Sequence, residues 1–126
     1  MKICIPSMGN KGIDEIVNEH FGTAGSYTVI DTITGDVKTL RVKREFSEKA
    51  LSTVDMLLDE GVDVVLCGGL SFGGIGLPAL NKLEDLGIKV YVGAIGTVRD
   101  ALHSFQANTL DRATDVNTCS ECNQKQ

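Results

Sequence analysis

Apolar residues gather in the manner of strands at five places along the chain and fall at helical spacing at three. Lys2–Pro6 (KICIP), Val62–Cys67 (VDVVLC) and Ile88–Val92 (IKVYV) are short, nearly continuous apolar runs, as expected for strands buried on both faces. Ser26–Thr32 (SYTVIDT) and Val37–Val42 (VKTLRV) also read as strands, and Thr34-Gly35-Asp36 between them is a hairpin signal. Ser47 suits an N-cap, Ala50, Leu51, Val54, Leu57 and Leu58 share one helical face, and Gly61 stops that helix. Pro78 fits the first turn of a second helix, which ends before Gly87. Thr97 with Asp100 three residues on reads as a capping box, and Val98, Ala101, Leu102 and Phe105 give the third helix its buried face. Ile13, Ile16, Val17 and His20 also follow helical spacing, but over only about two turns, which leaves helix and loop both open. From about Asn108 the pattern stops.

The order strand, hairpin, helix, strand, helix, strand, helix predicts a three-layer α/β domain. Its five-stranded mixed sheet carries helices on both faces, with strands four and five parallel to each other. With strand two returning beside strand one as the antiparallel member, this is the ribonuclease H-like layout. Residues 1–110 form the predicted domain, and 111–126 a polar, flexible tail.

This topology collects several loops at the carboxyl ends of the parallel strands, where open α/β sheets bind ligands. The connection after the first strand brings Ser7, Gly9 and Asn10 there, and further on His20, Phe21 and Gly22. The fourth strand ends at Cys67 and opens into Gly68 and Gly69; the fifth ends in Gly93–Gly96. Glycines allow close backbone approach and successive N–H groups that cradle an anion, although they also simply end strands and start helices. GGLSFGGIG (68–76) is not a P-loop, because no Gly-Lys-Ser/Thr follows.

Composition narrows the function classes. At 126 residues with 42% apolar content, the chain suits one domain with its own core. The net charge is −5, and the one basic cluster is RVKR (41–44), so a nucleic-acid surface is not expected. No apolar run approaches a membrane span and no signal-peptide pattern opens the chain, which makes the cytoplasm the expected location. Ribonuclease H chemistry needs a carboxylate in the first strand, and KICIP has none, so a nuclease is not expected either. With no secretion signal, Cys4, Cys67, Cys119 and Cys122 read as free thiols or metal ligands rather than disulfides. Cys4 lies mid-strand and reads as core. Cys67 reads as a small buried hydrophobe or a ligand. Cys119-x-x-Cys122 supplies half a tetrahedral site for iron or zinc, or belongs to an inert tail.

IPSMGNKGIDEIVNEHFGTAGSYTVID, with EHFG at 19–22, and GVDVVLCGGLSFGGIGLPALNKLEDLGIKVYVGAIGTVRDAL together resemble the dinitrogenase iron–molybdenum cofactor biosynthesis family, the NifX-like domains. The resemblance extends to about Leu110. It implies a ribonuclease H-like fold, no catalytic turnover, and labile binding of an iron–sulfur or iron–molybdenum cluster, received from donor proteins and passed to acceptors. It also implies a cluster-binding role for the histidine of the HFG motif, which here is His20. Many relatives carry Asn-Pro and His-Gly before the first long helix, whereas REFSEKALSTVD (44–55) has neither.

On the residues alone, His20 closes a small apolar cluster with Ile13, Ile16 and Val17; the resemblance makes it a ligand candidate, and imidazole is a ligand that iron accepts. Phe21 would anchor the loop and Gly22 turn it. The expected function is therefore non-catalytic carriage of a metallocluster. The alternative is a metal-binding or redox-responsive module working through Cys119 and Cys122.

Overall fold

A computed structural model describes residues 1–18, 21, 25–41, 49–68 and 77–113. The elements are β1 (Lys2–Ser7), β2 (Ser26–Asp31), β3 (Val37–Arg41), α1 (Lys49–Glu60), β4 (Val64–Gly68), α2 (Leu77–Asp85), β5 (Lys89–Ala94), α3 (Val98–Gln106) and β6 (Asp111–Arg112). They build one mixed sheet in the order β3-β2-β1-β4-β5-β6. β1 is antiparallel to β2 and parallel to β4, and β4 is parallel to β5.

The apolar runs become strands buried on both sides because each face has its own cover. Cys4, Tyr27, Val29, Val65, Cys67, Val90 and Val92 pack on one face with Val54 and Leu57 of α1 and Leu80 and Leu83 of α2. Ile3, Ile5, Ile30, Val64, Leu66 and Ala94 pack on the other with Val98 and Ala101 of α3. Alternation along each strand sorts the two sets. The third helix starts as its sequence predicts: the Thr97 hydroxyl accepts from the Asp100 N–H, and the Asp100 carboxylate accepts from the Thr97 N–H. Leu58, assigned to the buried face of α1, is exposed. The proposed Ser47 cap lies outside the described residues.

One expectation is corrected. The sheet has six strands instead of five, because Asp111 and Arg112 pair antiparallel with Val92 and Tyr91 of β5. Ala113 follows, buried, with its N–H on the carbonyl of Val90. Ordered structure thus continues past residue 110. The Arg112 guanidinium fixes this strand by lying over the Tyr91 ring, 5.8 Å from its centroid, and by pairing with Glu84 at 2.8 Å.

At Ile13–Val17, where the sequence leaves helix and loop both open, the structure decides. The helical spacing there produces only a 3-10 turn at Gly12–Asp14, after which Ile16 and Val17 are extended. The turn packs against β3 and α3, with Ile13 against the core on the α3 face, and Asp14 pairs with Arg99 at 2.9 Å. It lies beside α3 on the face of the sheet that α3 covers.

Candidate functional site at the carboxyl edge

The site begins with a split in the sheet. β1 and β4 pair at Ile3/Val64 and Cys4/Val65, and the described residues continue that register no further. Above it, Ile16–Asn18 is bonded to the end of β1 on one side and to the turn after β5 on the other. Met8 N–H donates to the Ile16 carbonyl and Asn18 N–H to that of Pro6, which brackets the pair Ser7/Val17. Val17 N–H donates to the Gly96 carbonyl and Val98 N–H to that of Glu15, which brackets Ile16/Thr97. The result is a three-segment antiparallel ladder that joins two of the three predicted loops. It stands at the point where the chain has passed from β1 to β2 on one side and returned to β4 on the other. That is the crevice where open α/β sheets hold ligands.

Each predicted residue has a place relative to this crevice. Ser7 is buried, and its hydroxyl is 2.9 Å from that of Thr28, so the pair satisfies itself. Gly9 meets the Glu15 carboxylate: a Cβ built on it would stand 2.8 Å from Oε1. That carboxylate, buried, accepts from Lys11 N–H at 3.2 Å and Ile16 N–H at 3.0 Å and so shapes the whole turn. Asn10 is exposed on the same turn. Gly68 is the buried last residue of β4 and pairs with Ala94. From Leu66/Tyr91 to Gly68/Ala94, β4 advances two residues and β5 three, so β5 carries a bulge. Gly93, with φ +99°, takes up the extra residue in a conformation that other residues rarely adopt. Gly96 belongs to the ladder.

Phe21 is fully buried on the α1/α2 face, edge-on to Tyr27 with ring centroids 5.6 Å apart, and its carbonyl accepts from the Tyr27 hydroxyl. The described neighbours of His20 are therefore both fixed at this edge: Asn18 to Pro6 at the end of β1, and Phe21 to Tyr27 at the start of β2. His20, Gly22, Gly69, Cys119 and Cys122 lie outside the described residues.

Cys67 is fully buried in the same core cluster as Cys4. Burial pushes both thiols well up from their ordinary range, and for Cys4 the neighbouring Cys67 adds to it. Protonated thiols of this kind are inert as nucleophiles and poor as ligands. Among the described residues, no group of three or more His, Cys, Asp or Glu side chains stands ready to hold a metal ion. The described part of this edge thus presents hydrogen-bonded backbone, a self-paired couple of hydroxyls and small residues. Sequence reasoning missed Glu15, Ile16–Asn18 and Thr97, which build the ladder. Of these only Thr97 carried a local signature, as a helix cap.

A mixed sheet in the order β3-β2-β1-β4-β5-β6, with helices on both faces and a short antiparallel ladder set into its carboxyl edge, defines the fold class. The chain belongs to the dinitrogenase iron–molybdenum cofactor family, whose model matches residues 1–108. That membership associates it with iron–molybdenum cofactor biosynthesis. No curated protein matches the sequence. Among solved structures it is similar to the apo form of the orange protein from Desulfovibrio gigas, at 26% identity and TM-score 0.78, over 90% of this chain and 92% of that one. It shares its fold with a Thermotoga protein assigned as NifB, at 24% identity and TM-score 0.71, over 88% of this chain and 91% of that one. The fold also recurs in a dinitrogenase-assigned protein of Methanocaldococcus jannaschii, at 18% identity and TM-score 0.60, over 90% and 95% of the two chains. No described helix is long and apolar enough to cross a membrane.

Proposed function

We propose that the protein carries an iron–sulfur or iron–molybdenum cluster, or a precursor of one, between donor and acceptor proteins of metallocluster biosynthesis, without catalytic turnover and in the cytoplasm. The observation that carries this reading is that the family match spans the same residues that build the split edge. A carrier must release its cargo, and a site with few protein ligands suits that task. His20 is the ligand candidate, held in sequence between the anchored residues Asn18 and Phe21. Glycines at this edge, Gly93 of the bulge among them, would let the backbone come close to the cluster. The strand order β3-β2-β1-β4-β5 with β2 antiparallel supports the ribonuclease H-like reading of the fold.

The test is anaerobic incubation of the full chain with iron–sulfur and iron–molybdenum cluster donors, followed by absorption and electron paramagnetic resonance spectra. Stoichiometric uptake is expected, weakened about tenfold or more in His20→Ala, since one lost ligand is worth more than about 1.4 kcal/mol. Equal binding by His20→Ala would remove that residue from the site. Loss of all uptake in Cys119→Ser/Cys122→Ser, with His20 intact, would move the function to the tail thiols.

A further inference from the structure

The ladder has two faces. Ser7 and Val17, paired across it, point inward and are buried. Their neighbours Met8 and Ile16 point the other way, and the two residues are 64% and 51% exposed. Ile95, just before the Gly96 that bonds to Val17, is 68% exposed. Three large apolar side chains therefore stand in water at the mouth of the crevice, on backbone that hydrogen bonds hold in place on both sides.

We infer that Met8, Ile16 and Ile95 form the surface on which a cargo-exchanging protein docks briefly, its own apolar contact set in a basic surround. This inference rests on the carriage reading and adds the partner's chemistry to it. Size separates a brief encounter from a permanent one. The largest apolar patch on an ordinary monomer is itself only about 300–600 Å² and often functional, and three side chains make a patch of that order at most. A standard interface takes roughly 800 Å² from each partner, so two copies meeting patch to patch fall well short of a stable dimer. Charge sets the partner's surround. The chain carries a net charge of −5, which attracts basic surfaces from a distance and repels a second copy of itself. Position gives the contact its use, because a protein seated here covers the crevice and can take or leave cargo without releasing it to solvent.

The test places a photo-crosslinking residue at Ile16 or Ile95 in the cell, with Ile33 as control. Ile33 is exposed at the hairpin tip on the opposite edge of the sheet. A single protein species is expected to crosslink from Ile16 and Ile95 and not from Ile33. That protein is then purified and titrated against the full chain. Ile16→Ser/Ile95→Ser should weaken binding about tenfold or more, added salt should weaken it further, and the variant's circular dichroism should match the wild type. The docking surface is overturned by crosslinks only to a second copy, by equal crosslinking from Ile33, by no crosslink at all, or by an affinity that the double variant leaves unchanged. Loss of cluster loading in every version of the chain, wild type included, would instead sink the carriage reading.

Discussion

The Tyr27 hydroxyl donates to the carbonyl oxygen of Phe21, six residues earlier, and the two rings meet edge to face at 5.6 Å. One side chain at the start of β2 thereby holds the backbone of the residue that follows His20. Tyr27→Phe keeps the ring contact and strands a buried carbonyl. It should cost about 1–3 kcal/mol, read as a shift in the urea midpoint, and it should weaken cluster uptake while leaving the far-ultraviolet spectrum unchanged. Full stability and full uptake in Tyr27→Phe would show that the hydroxyl does not hold the segment.

Gly9 and Glu15 are coupled by contact. An alanine at Gly9 places its Cβ 2.8 Å from Glu15 Oε1, which must then leave the Lys11 N–H. Gly9→Ala should destabilise the fold by about 1–2 kcal/mol. In a Glu15→Ala background the same change should cost much less, because nothing remains to clash with. A double-mutant cycle in urea measures this, and additive costs would refute the coupling.

Asp100 gives stability a dependence on acid. The Thr97 N–H first, and then the Thr97 side chain, hold its carboxyl below the usual carboxylate range. A folded-state value below the unfolded one stabilises the protein above the unfolded value, near pH 4, and that contribution is lost as pH falls through the folded value. Asp31, held low chiefly by the Ile33 N–H, acts in the same direction. Melting temperatures of wild type and Asp100→Asn should therefore differ at neutral pH and converge in acid. A gap that stays constant down to pH 2 would contradict the linkage.

Cys4 and Cys67 should not react with thiol reagents at pH 8 in the folded protein and should react once urea unfolds it, because both are fully buried and their thiols stay protonated. Cys67→Ala should cost about 1 kcal/mol or somewhat more as a small core truncation, and leave cluster binding intact. A folded Cys67→Ala that no longer binds a cluster would make the thiol a ligand after all.

Much of the fold was legible because its signals are local. The apolar runs of β1, β4 and β5, the glycine-bearing hairpin between β2 and β3, and the Thr97–Asp100 cap each state their element within a few residues. β6 carried no such signal. Asp111 and Arg112 are polar and exposed, and they become a strand only because β5 offers an open edge and Tyr91 and Glu84 hold Arg112. Ile13–Val17 was ambiguous for the same reason. Its spacing suits a helix, yet a helix there would give up the backbone bonds that Ile16 and Val17 make to β1 and to the turn after β5.

By itself the sequence determined the order of elements, which faces are apolar, the family, and the edge on which His20 would stand. Those follow from hydrophobic period, turn chemistry and motif, which are properties of neighbours along the chain. The tertiary structure decided what builds that edge. The separation of β1 from β4, the ladder that fills the space, the Glu15 carboxylate that shapes the turn, and the burial of Cys67 all depend on residues far apart in sequence. Their backbone and side-chain groups find partners only once the sheet has brought the three segments within hydrogen-bonding distance.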